Sequence, residues 1–264
     1  MTERHGILVG YDGSEDAERA LAWAADTALR REEPVIVVVA DESAGSGAGP
    51  GAGTLAWWPE SHYREVADQA TEALAEAGVV EARVERHTGA LVPTLVARAE
   101  VATMVVLGSR GRGRAGQVFV GSAGAGAAGL APCPVVVVRE APADDLVVVG
   151  VDGSETSRKA LEFACVHAGL SDQKVLVVHG GSPGGPAPEG IVAMVAAAER
   201  AHPGVPLAQE VVTGSAVEAL VDASRRAALV VVGSRGLRLA ETERLGSVSH
   251  ALLVQAESPV AVVR

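Results

Sequence analysis

Ile7-Leu8-Val9-Gly10-Tyr11-Asp12-Gly13-Ser14-Glu15 is an apolar run that ends in a turn and opens a helix. The chain writes it again as Leu146-Val147-Val148-Val149-Gly150-Val151-Asp152-Gly153-Ser154-Glu155. A second pair follows the same rule: Gly108-Ser109-Arg110-Gly111, nine residues, then Gly121-Ser122 recurs as Gly233-Ser234-Arg235-Gly236, nine residues, then Gly246-Ser247. Two glycine-bearing turns at matched places in each half predict a tandem pair of similar domains, 1–140 and 146–264. A chain of 264 residues suits two domains of ordinary size better than one large one.

Outward from these turns, Val-rich runs fall at 7–11, 35–40, 79–84, 104–107 and 134–138, then at 146–151, 175–179, 205–212, 229–232 and 259–263. Runs so short and continuously apolar suit strands buried on both faces of a parallel sheet. Helical period fills the gaps: Ala17, Ala20, Leu21, Ala24, Ala25 and Ala28 form one stripe, and Ala160, Leu161, Ala164, Cys165 and Ala168 repeat it. Each half therefore reads βαβαβαβαβ, an α/β fold. The first half carries extra residues, assigned to the low-complexity stretch 43–58 that ends in Trp57-Trp58. For this tryptophan pair, local anchoring or a subunit contact outweighs a lid over a pocket. The short linker 140–145 should hold the halves close.

With 48% hydrophobic and 3% aromatic residues, the cores are built from Val, Ala and Leu rather than rings. A formal net charge of −11 speaks against general affinity for nucleic acid or anionic lipid. Cys133 and Cys165 form no spaced framework, and Cys165 continues a helix's apolar stripe as a packed thiol. The first residues lack a signal-peptide stretch, and no apolar run reaches membrane-spanning length, so a cytoplasmic protein is expected. The seven histidines show no metal spacing, although His179 ends a strand where it could border a nucleoside.

The two turns differ in what they can hold. In an open parallel sheet a ligand sits beyond the carboxyl ends of the strands, where the strand order reverses. An order 3-2-1-4-5 brings both turns to one crevice. The first turn opens a helix with Ser14-Glu15-Asp16 or Ser154-Glu155, acids that satisfy the helix dipole and repel phosphate. Asp12 and Asp152 suit instead the hydroxyl and amine donors of a nucleoside. The glycines of the second turn permit close backbone approach and present N–H groups to an anion. Arg110, Arg112 and Arg114 add charge in the first half, whereas Glu241 and Glu243 dilute Arg235, Arg238 and Arg244 in the second. Residues 111–116 spell G-x-G-x-x-G, but after the fourth strand, with no acid about 20 residues onward and no copy in the second half, which argues against a dinucleotide site.

The pattern G-x2-G-x9-G-[S/T], preceded by a Val-rich strand and followed by Ala131-Pro132-Cys133-Pro134 and four valines, resembles the universal stress protein family in its tandem form. The similarity covers nearly the whole chain outside 43–58. It implies two doubly wound five-stranded domains of order 3-2-1-4-5, paired as a pseudo-dimer, and binding of ATP. Mg²⁺ would accompany a triphosphate, with no carboxylate evidently placed to hold it without the phosphates. The family's acidic nucleoside contact falls on Asp12 and Asp152. Its phosphate-loop glycines fall on Gly108, Gly111 and Gly121 and on Gly233, Gly236 and Gly246, with Arg110 and Arg235 inside those loops. Its phosphate-side hydroxyls fall on Ser122 and Ser247, and a second hydroxyl two residues on is matched by Ser249 but not by Gly124.

The function implied is that of an ATP-binding stress sensor or regulator without rapid turnover, since no P-loop lysine motif or paired general base accompanies the loop. The alternatives are an adenine nucleotide hydrolase with slow ATPase activity and a scaffold with degenerate nucleotide sites. The last strands are long apolar edges that need a partner. Pairing within the chain is the first choice, and a homodimer through the last strands or other exposed edges the second. Glycines at 124, 126 and 129 each cost a helix about 1 kcal/mol against alanine, so the first phosphate end should be the softer.

Overall fold

The computed structural model describes residues 6–41, 60–111, 122–140, 145–181, 188–236 and 245–264, and of residues 41 and 122 the backbone alone. The stretch 43–58 with Trp57 and Trp58, most of the 111–116 glycine spelling and linker residues 141–144 lie outside the described residues. The chain divides into two compact units, Met1–Val138 and Arg139–Arg264.

The first unit runs β1 (Ile7–Gly10), α1 (Glu15–Arg31), β2 (Val35–Asp41), α2 (Glu60–Glu76), β3 (Ala82–Thr88), α3 (Leu91–Arg98), β4 (Met104–Gly108), α4 (Ser122–Leu130), β5 (Val135–Val138). All its strand pairs are parallel, in the order β3-β2-β1-β4-β5. Ile7 stands opposite both Val35 and Met104, so β1 is central. Helices α1 and α2 pack together on one face and α3 and α4 on the other. With both faces covered, β1 and β5 are buried at every residue, which is why they read as unbroken apolar runs.

Helix α1 begins where Ser14 caps it, its Oγ accepting from Ala17 N at 3.2 Å. It ends where Glu32 turns left-handed at φ +54°. The stripe expected from Ala17 to Ala28 is the buried face of this helix. Leu21, 2% exposed, contributes on the order of 1.5–3 kcal/mol by that burial.

The second unit repeats the plan with β6 (Leu146–Val151), α5 (Glu155–Ser171), β7 (Lys174–Gly180), α6 (Glu189–Ala201), β8 (Leu207–Val212), α7 (Ala216–Ser224), β9 (Leu229–Gly233), α8 (Ser247–Gln255), β10 (Val260–Val263). Its parallel order is β8-β7-β6-β9-β10. The likeness extends to the helix ends: Ser154 Oγ caps α5 by accepting from Ser157 N at 3.2 Å, and Asp172 closes it at φ +54°. Cys165 lies on the buried face of α5, where burial first and the charge of Glu162 second push its thiol up to about 11.

One strand departs from its expected place. The run at 79–84 gives way to β3 at Ala82–Thr88, because Val79 folds back under α2, its N–H donating to Leu74 O at 3.0 Å, and Val80 is left 96% exposed. Strand β3 is the outermost of its unit and half-exposed, so it needs no continuous apolar run. Its Arg83, Glu85 and Arg86 are the charges that keep an outer strand from pairing elsewhere.

Candidate functional site

In each unit the central strand delivers an aspartate to the carboxyl end of the sheet. After β1, Asp12 Oδ1 accepts from Ser14 N at 3.0 Å, across Gly13 at φ +69°. After β6, Asp152 Oδ1 accepts from Ser154 N at 3.0 Å, across Gly153 at φ +86°. Both glycines hold the left-handed backbone that the turn requires. One carboxylate oxygen is thus used to shape the turn, and the other faces the neighbouring loop. A Cβ placed on Gly111 would meet Asp12 Oδ2 at 2.6 Å, and one on Gly236 would meet Asp152 Oδ2 at 2.5 Å. The aspartate turn and the glycine loop therefore meet at the β1/β4 crevice of the first unit and at the β6/β9 crevice of the second, where the strand order reverses.

The first glycine of each loop has a different task. A Cβ on Gly108 would lie 2.6 Å from the backbone C and O of Asp16, so bare backbone lets β4 end against the start of α1. On Gly233 it would lie 2.8 Å from Thr156 Oγ1 and 3.0 Å from Thr156 C, the matching place on α5.

Beyond the loop, α8 starts with Ser247, exposed at its first turn, after Gly246, which caps it without a side-chain bond. No acid stands in the first turn of α8 or α4, whereas α1 opens with Glu15, Asp16 and Glu18 and α5 with Glu155. The open amides and uncompensated dipole at the start of α8 suit an anion. Gly246 N donates to Ser234 O at 2.7 Å, which fixes the end of the loop to the strand that leads into it. In the first unit Ser122 opens α4, but Gly121 and the Ser122 side chain lie outside the described residues, as do Arg112, Arg114, Arg238, Arg244, Glu241 and Glu243.

Three residues have partners within the chain that the sequence did not reveal. Ser249, expected beside phosphate, is 1% exposed, and its hydroxyl donates to Ser234 O at 3.1 Å and Gly246 O at 3.0 Å, tying α8 to the loop. Arg110 is joined to Asp16, its Nε donating to Asp16 Oδ2 at 3.1 Å. Asp16, read from the sequence as a dipole-satisfying acid, is buried, and the same Oδ2 accepts from Ser109 Oγ at 2.7 Å while Oδ1 accepts from Arg19 Nη1 at 2.6 Å. Burial alone would raise the Asp16 pKa; the Ser109 and Arg110 hydrogen bonds and the charges of Arg110 and Arg19 outweigh it and hold it below the usual value. The signal that could have exposed Asp16 is the mismatch with Thr156 at the same place in the repeat. His179, 2% exposed at the carboxyl end of β7, has its Nδ1 3.4 Å from Gly180 O and its Nε2 without a partner among the described residues.

The Universal stress protein family model matches residues 3–139 and 186–264. Universal stress protein Rv2005c of Mycobacterium tuberculosis is 32% identical over 292 aligned residues, covering 99% of this chain and 98% of that protein. The chain belongs to the universal stress protein family. The Asp152 turn precedes the second matched segment, and its correspondence with Asp12 rests on the geometry of the two units. This universal stress protein also has the fold of one from Archaeoglobus fulgidus, at a TM-score of 0.73 with 21% identity and 98% of each chain covered. A universal stress protein solved in complex with cAMP is 30% identical over 47% of this chain and 98% of its own, at a TM-score of 0.38.

Proposed function

We propose that each unit holds an adenine nucleotide, ATP for choice, and that the protein acts as a cytoplasmic stress-response sensor or regulator rather than a rapid-turnover enzyme. The observation that carries this reading is the contact of the two turns: an aspartate oxygen lies against a glycine on which a Cβ would crowd it, in both units, at the strand-order switch point. Asp12 and Asp152 would accept from the nucleoside. The amides of Gly111 and Gly236, and those opening α4 and α8, would meet the phosphates, with Ser122 and Ser247 as the first hydroxyls.

Among the described residues no group of three or more His, Cys, Asp or Glu is placed to hold a metal ion. Mg²⁺ would therefore be carried largely by the phosphates, as is usual for this hard, reluctantly dehydrated cation. No helix among the described residues is long and apolar enough to cross a membrane. Mass spectrometry of the ligand released from freshly purified protein tests the proposal. An adenine nucleotide at up to two per chain is expected, and protein that carries none and takes up no ATP on addition would overturn it.

A further inference from the structure

The second residue of the helix that starts at each crevice differs between the units. In α1 it is Asp16, its side chain 8% exposed and ringed by three donors, Ser109, Arg110 and Arg19. The arginine of the first loop is thus already paired with a carboxylate. In α5 it is Thr156, whose hydroxyl donates to the Arg235 backbone carbonyl and lies 3.1 Å from Ser154 Oγ. Among the described residues no carboxylate pairs with the Arg235 side chain, and its positive charge, after burial, is a cause of the lowered Arg264 pKa. Ser234, the counterpart of Ser109, is fully buried with its Oγ unpartnered among the described residues.

We infer that Asp16 is a specificity-determining residue: its charge lowers the first site's preference for highly charged phosphate groups, an effect that Thr156 does not exert in the second. The inference rests on the adenine-nucleotide reading of both sites. A carboxylate beside the only described loop arginine cancels that arginine's attraction for phosphate at short range and repels each added phosphate charge. Neutral contacts to the nucleoside are untouched. Asp16 thus acts on the charge state of the ligand and not on its base.

The test uses the full chain with one site silenced at a time, Gly236→Val leaving the first and Gly111→Val leaving the second. Adenosine, AMP and ATP are titrated into each at fixed Mg²⁺. Removing the Asp16 charge should raise the first site's preference for ATP over adenosine about tenfold, the effect of one charge across a partly solvated gap. Asp16→Asn and Asp16→Thr should both show this rise, and Thr156→Asp should lower the preference at the second site by a similar factor. Asp16→Asn keeps the shape and loses the charge, so a merely structural role would weaken adenosine and ATP together or leave both unchanged. Should the Asp16 variants fail to fold, Thr156→Asp, a change at a half-buried position, decides alone. Adenosine binding with an unmoved ATP preference in these variants overturns the inference and leaves the nucleotide reading standing. A parent chain that binds neither adenosine nor ATP overturns both.

Discussion

The two units make the same turn with the same backbone and secure it with different chemistry. In the first, the loop after β4 is fastened to α1 through a buried carboxylate, Asp16, that gathers Ser109 and Arg110. In the second, Thr156 reaches a backbone carbonyl of the loop, and Ser249 holds the same loop from the other side. What the repeat preserves is the set of positions where a side chain would strain the turn or crowd its neighbours: Gly13 and Gly153 by their left-handed backbone, Gly108 and Gly233, Gly111 and Gly236 by close approach. What it varies is the charge beside them.

The largest contrast should come from adding a methyl group at the strand ends. Gly108→Ala drives a Cβ into the Asp16 backbone at 2.6 Å, which can yield only by moving α1, whereas at Gly233 the nearest atom is the Thr156 hydroxyl at 2.8 Å and the backbone of α5 begins at 3.0 Å. Costs of about 3 and about 1 kcal/mol respectively are expected in denaturant unfolding followed by circular dichroism. Equal costs would mean that the two strand-to-helix contacts are alike.

Next in size are the serines. Ser109→Ala removes a donor from a buried carboxylate and should cost about 2 kcal/mol. Ser234→Ala, which removes a hydroxyl without a described partner, should stay within about 0.5 kcal/mol of the parent. A Ser234 variant as damaged as the Ser109 variant would break the comparison.

The acid response gives a third contrast. Asp16 is held below its ordinary 3.8 in the folded chain, so the folded state favours the ionised form. Its contribution is fully present above about pH 4 and is lost as pH falls through the lower folded value. The stability gap between the parent and Asp16→Asn should therefore close on acidification, and a gap independent of pH would place the effect elsewhere.

The smallest expected effect concerns the helices after the loops. Amides of α4, interrupted by Gly124 and Gly126, should exchange with solvent faster than those of α8 in the absence of nucleotide, and equal protection would refute the difference. These glycines also have a packing reason. A Cβ on Gly124 would meet Val137 Cγ2 at 3.0 Å and one on Gly126 would meet Val92 Cγ1 at 3.2 Å, so alanine there would gain helix propensity and lose fit.

The buried strands and the stripe of α1 were readable in the sequence because full burial on both faces leaves little but Val, Leu and Ala to use. The outer strand β3 was misplaced for the converse reason: half-exposed, it carries Arg83, Glu85 and Arg86, while the apolar Val79-Val80 precedes it. The glycines and aspartates of the crevice were legible through their repetition. Asp16 was not, since an acid at the second position of a helix usually serves the dipole, and its inward turn depends on Ser109 and Arg110, more than ninety residues away. For Ser249, spacing reveals that a hydroxyl is near the loop but not that two carbonyls already receive its proton.

The most direct measurement is calorimetric titration of ATP into the full chain and into Gly111→Val, Gly236→Val and the double variant. Two sites of unequal affinity are expected in the parent, one in each single variant and none in the double. Unchanged affinity and stoichiometry in the double variant would contradict the assignment of nucleotide to the two crevices.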